Sequence, residues 1–119
     1  MGTGEFMTGQ DLILDLQETL RHLEQSLDSL SDYGLVASEA DNNYKMERSK
    51  QMVIERTKGT PVSILEKIVD GYPQVAALNF AKNMAEKTYQ NELERINVWK
   101  LKARILDSQI AREWGRNGV

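Results

Sequence analysis

After Pro73 and as far as Trp114 the chain contains neither glycine nor proline, and this uninterrupted stretch limits the fold more than any other feature. Nothing in it breaks a helix, and at 1.5 Å per residue it predicts a rod of roughly 60 Å. Its apolar stripe is Leu78, Ala81, Ala85, Tyr89, Leu93, Ile96, Trp99, Ala103, Leu106, Ile110 and Trp114. Gly115, Asn117 and Gly118 mark its end. Tyr72-Pro73 opens it, with proline in the first turn, where the missing N–H costs nothing.

A rod of that length needs neighbours. Residues 8–31 predict the first: Thr8 as N-cap, Asp11 in the first turn, then Ile13, Leu16, Leu20, Leu23, Leu27 and Leu30 at alternating spacings of three and four. Gly34 reads as the terminating residue. A second helix, 36–58, carries a weaker stripe, and Asp41-Asn42-Asn43 is poor helix material. The sequence leaves open whether these two helices are continuous. Gly59 stops the second. Thr60 as N-cap and Pro61 in the first turn then start a short helix, 61–70, with Val62, Leu65, Ile68 and Val69 on one face.

The first helix reaches only roughly 35 Å, so the first two end to end are needed to line the last. The expected fold is all-α: a long antiparallel helical hairpin, coiled-coil-like, with a short corner helix. Two or three slender helices leave one side of each apolar seam bare, so the hairpins are expected to assemble into an oligomeric bundle, a dimer above all. The expected interface is Leu16, Leu20, Leu23, Leu27 and Leu30 with Tyr89, Leu93, Ile96, Trp99, Leu106, Ile110 and Trp114. Aromatics at 7% supply little material for a large core, which favours the same solution.

Charge is segregated along the chain. Residues 7–43 hold Asp11, Asp15, Glu18, Glu24, Asp28, Asp32, Glu39 and Asp41 against Arg21 alone. Lys45, Arg48, Lys50, Arg56 and Lys58 make the next stretch basic, and Lys100, Lys102, Arg104, Arg112 and Arg116 do the same near the end. An antiparallel hairpin sets the acidic helix beside the basic end, within the fold or across an interface. Met1–Phe6 read as a cloning scar, leaving 7–119 as a single helical domain. No run spans a bilayer and no secretion signal appears, so cytoplasmic location is the default.

Chemistry has few candidates. Absence of cysteine removes disulfides, thiolate nucleophiles and zinc-thiolate sites. His22 is the only histidine; with Glu18 one turn away it falls short of a metal ligand set and reads as a flank residue. Glu39 with Asp41, and Glu92 with Glu94, lie two apart on a helix and face different ways, so they read as solvated faces and not as a hydrolytic pair. No cofactor and no catalytic residue is expected, and the chain reads as a non-enzyme. The corner at Thr60–Lys87 has helix-turn-helix connectivity, yet Gln74 through Phe80 offers only Gln74 and Asn79 for reading bases; packing is the plainer account. Trp99, Trp114, Tyr89 and Phe80 at helical spacing suit either a stacking platform or an apolar contact surface.

The tract Tyr44-Lys45 through Arg48, then Gly59-Thr60-Pro61-Val62, and the end Ile105-Leu106-Asp107-Ser108-Gln109-Ile110-Ala111-Arg112-Glu113-Trp114 resemble small helical proteins encoded by phages and prophages of Gram-positive bacteria. The resemblance covers most of the native chain. It implies an accessory or host-directed role and carries no functional residue across. The resulting expectation is a helical adaptor that binds another protein, in replication, recombination or defence modulation. The alternative is a nucleic-acid-binding accessory protein using Lys45, Arg48, Lys50, Arg56, Lys58, Lys100, Lys102 and Arg104.

Overall fold

The computed structural model describes residues 8–116, all of whose regular structure is helical. Met1–Phe6, the expected cloning scar, and Asn117 and Gly118 lie outside the described residues. There are three helices: α1, Gly9–Thr57 (49 residues), α2, Val62–Asp70 (9 residues), and α3, Pro73–Arg116 (44 residues). They divide between two compact units. One takes the described residues up to Leu30 together with those from Glu92 onward; the other is Ser31–Asn91.

α1 starts where the sequence predicts. The Thr8 hydroxyl accepts from the Asp11 N–H at 3.1 Å, and the Asp11 carboxylate accepts from the Thr8 N–H at 3.3 Å. This reciprocal pair satisfies two donors that the first turn leaves unused. The predicted break at Gly34 is absent, and the expected helices 8–31 and 36–58 are one. A Cβ on Gly34 would lie 3.3 Å from the Tyr89 ring. Without a side chain Gly34 leaves room for that ring, and α1 runs through it despite a helix penalty of roughly 1 kcal/mol relative to alanine.

Gly59 does end α1. Its φ is +91°; its N–H donates to the Arg56 carbonyl at 3.0 Å and the Thr60 N–H to the Glu55 carbonyl at 3.3 Å. These two bonds form a Schellman motif, which requires a left-handed residue between them. Thr60 was expected to cap α2. Instead Pro61 occupies the cap position, and the Thr60 hydroxyl donates to Glu55 Oε1 at 2.9 Å, because that carboxylate is buried and needs a partner. Leu65 and Val69 bury the inner face of α2, with Ile68 half-buried; Val62, expected on that face, is exposed.

In Ser31–Asn91 the core is Leu65, Val69 and Val75, with Tyr44, Met52 and Tyr72 packed around it. Arg48 ties α1 to α2: Nε donates to Asp70 Oδ1 at 2.8 Å, and Nη2 lies 3.4 Å from Asp70 Oδ2 and from Glu66 Oε1. Gly34 beside Tyr89 and Lys82 over the Tyr44 ring at 5.1 Å show that α1 and α3 run antiparallel in this unit.

The other unit is a two-helix antiparallel pair. Gly9 sits beside Glu113, Asp15 lies 3.8 Å from Lys102, and the His22 ring stacks on Trp99 at 4.7 Å with planes 6° apart. Buried or half-buried positions on α1 include Leu12, Leu16, Thr19, Leu23, Ser26 and Leu30; on α3 they include Glu92, Ile96, Trp99, Ala103, Leu106 and Ile110. Both rows keep the alternation of three and four. The α1 row is displaced from the expected one: Thr19 and Ser26 are buried where Leu20 and Leu27 were expected, and Leu12 is buried beside a half-buried Ile13. At 100° per residue, turning Leu20 and Leu27 inward would swing Asp15 from Lys102 and His22 from Trp99. Thr19 tolerates burial because its hydroxyl donates to its own Asp15 carbonyl at 2.8 Å.

Candidate interaction surfaces

The expected interface residues fall into two groups. Leu16, Leu23, Leu30, Tyr89, Ile96, Trp99, Leu106 and Ile110 are buried or half-buried against the chain itself. Leu20 at 43%, Leu27 at 46% and Trp114 at 54% remain exposed, and Leu93 is half-exposed beside the seam. Ala81, assigned to the inner stripe, is exposed, because the inner row of α3 runs through Lys82 and Ala85.

The sequence reading missed a second row on α3. Each inner residue has an outer counterpart two positions on, rotated by 200° and so on the opposite side of the helix. In Ser31–Asn91 that outer row offers Phe80 and Met84; in the two-helix unit it offers Val98, Leu101 and Ile105. All five are between 48% and 67% exposed. The signal was present as spacings of 3 and 4 from Val98 to Ile105, but the tryptophan-bearing stripe masked it. Phe80 therefore lies on a different face from Tyr89 and Trp99, and the aromatics form no single platform. In the corner, Val75 is 1% exposed and belongs to the core, while Gln74 is exposed and Asn79 half-buried.

Most of the basic side chains have partners within the chain. Lys45 pairs with Asp41 at 2.8 Å, whose hydrogen bond raises the ammonium pKa. Arg48 is held in its charged form chiefly by its hydrogen bond to Asp70. Arg56 donates to the Thr60 carbonyl at 3.3 Å, and Lys58 Nζ is 3.6 Å from Glu55 Oε2. Lys102 faces Asp15 and lies over Trp99 at 5.7 Å. Lys50, Lys100 and Arg104 are exposed; Lys50 edges a shallow depression with Asn43, Met46 and Glu47.

His22 is half-exposed, with Nε2 3.3 Å from Glu18 Oε1, and Arg21 also binds that carboxylate. The Arg21 hydrogen bond holds the Glu18 carboxyl below its ordinary value. Among the described residues no group of three or more His, Cys, Asp or Glu side chains is placed to hold a metal ion. Glu92 was expected on a solvated face, yet it is 5% exposed on the inner row, with Arg95 Nε at 3.6 Å. Glu94 points to solvent, as two-residue spacing requires. No described helix is long and apolar enough to cross a membrane.

Compared with known protein families, with characterised proteins and with solved structures, the chain matches none.

Proposed function

We propose that this protein is a non-enzymatic helical adaptor that self-associates and acts by presenting helix surfaces to another protein. The observation that carries this reading is the outer row of α3: Val98, Leu101 and Ile105, in adjacent turns and each at least half exposed. An apolar row of this kind is the usual mark of a protein contact. The resemblance to phage-encoded helical proteins supports an accessory role in replication, recombination or defence modulation, in the cytoplasm of a bacterial host. Nucleic-acid binding ranks second, because Lys45, Arg48, Lys58 and Lys102 already face carboxylates of their own chain.

Light scattering on the purified chain combined with gel shift at low salt tests the reading. The expected result is a mass above the 13.6 kDa of one chain and no salt-sensitive shift with single- or double-stranded DNA. A compact monomer, or a shift that weakens steeply with salt, overturns it.

A further inference from the structure

Within the two-helix unit the outer row of α3 runs Glu94, Val98, Leu101, Ile105 and Arg112, at spacings of four, three, four and seven. All five are exposed, and all belong to one compact unit and one unbroken helix. At 100° per residue they fall within about 60° of one another, on the side of α3 turned from α1. The row has an apolar middle, an anion at one end and a cation at the other. Neither Glu94 nor Arg112 forms an ion pair with any described residue. Lys102, the cation nearest the middle of the row, is drawn to Asp15 of α1 at 3.8 Å.

Such a row is complementary to itself when reversed. Glu94 and Arg112 are centred on the level of Ala103, and Leu101 and Ile105 share that centre. We infer that the outer face of α3 in this unit is covered by the same face of a second copy, running antiparallel about a two-fold axis level with Ala103. Leu101 of each copy then meets Ile105 of the other, twice over. Val98 lies over the short side chain at Ser108, and Glu94 of each copy approaches Arg112 of the other. A parallel pairing sets Glu94 on Glu94 and Arg112 on Arg112, so repulsion discourages it. The isologous geometry closes at two copies and leaves Leu20, Leu27 and Trp114 of the same unit free for a different protein.

This assignment rests on the self-association proposed above, and two measurements separate them. The first is sedimentation velocity on the wild type, E94R, R112E and the double variant E94R/R112E, each checked for unchanged helicity. Each single reversal creates two like-charge contacts in the dimer and is expected to weaken it by roughly tenfold, and the double variant to regain wild-type affinity. K100E makes the same change of charge about 130° around the helix from the row, and is expected to leave the affinity unchanged. The second uses the absence of cysteine in the sequence. In the antiparallel dimer a residue at 94 stands about 27 Å along the axis from its own counterpart, and so does one at 112. Under mild oxidation Glu94→Cys and Arg112→Cys are therefore each expected to stay monomeric on denaturing gels, and to cross-link when mixed.

A wild-type dimer indifferent to both reversals, one that K100E weakens as much as R112E does, or Glu94→Cys cross-linking by itself overturns the antiparallel α3 pairing and leaves self-association standing. A wild type that remains monomeric overturns both.

Discussion

The two compact units build their interiors from the same two helices and differ in one component. Ser31–Asn91 has α2; the other unit has only α1 against α3. With α2 present, Leu65, Val69 and Val75 reach 4%, 0% and 1% exposure and form a small core. Without it, two helices meet along one line, and much of what they bury is short or polar: Thr19, Ser26 and Glu92 beside Leu12, Ile96 and Leu106. A third segment closes a core; a pair leaves most of each circumference in water. The two-helix unit therefore has the smaller apolar interior of its own.

The largest effect expected within a single chain comes from removing that third contribution. Leu65→Ala is expected to cost about 2–4 kcal/mol, as for a buried leucine truncated in a packed site. Hydrogen exchange should show the protection of α2 and its surroundings falling more than that of residues 96–110. Equal loss in both would mean that the units are not separable in stability.

Gly59→Ala comes next. A Cβ there meets nothing within 4 Å, so the cost is backbone strain alone at φ +91°, about 1–2 kcal/mol in thermal or denaturant unfolding. Arg48→Ala should cost less, below about 1 kcal/mol, because Arg48 and Asp70 side chains are 26% and 48% exposed and solvent screens the pair. A larger loss would show that this fork, more than the apolar core, holds α2 in place.

The smallest effect belongs to the two-helix unit. Arg21 lowers the Glu18 pKa from its ordinary 4.5. A lowered folded-state value favours the fold above pH 4.5, and this contribution disappears as pH falls through the lowered pKa. A carboxylate titration by NMR should find Glu18 below 4.5 in the wild type and nearer to it in Arg21→Ala.

What the sequence made legible was chiefly local. The break-free run from Pro73 onward and the Gly59-Thr60-Pro61 junction each carry their cause within a few residues. Gly34 does not: as a helix stop and as a contact for Tyr89 it looks the same in sequence, and Tyr89 lies far along the chain. The α1 seam was ambiguous for a related reason. Leu16, Leu23 and Leu30 belong both to the frame of Leu20 and Leu27 and to that of Thr19 and Ser26; only Trp99 and Lys102 on the opposing helix decide between them. Partners of the basic residues were equally hidden, since Arg48 finds Asp70 across a turn and a second helix. The outer α3 row was visible in principle, but a helix with two apolar faces was read as having one.

The claim beneath these points is that Val98, Leu101 and Ile105 are exposed in one chain because a contact with another covers them. The most direct measurement is the sedimentation-equilibrium mass of the wild type beside the triple variant Val98→Ser, Leu101→Ser, Ile105→Ser, both checked for helicity. The account predicts a wild-type mass of twice 13.6 kDa and a folded triple variant at one chain's mass. A wild type at one chain's mass, or a triple variant that associates as strongly as the wild type, contradicts it.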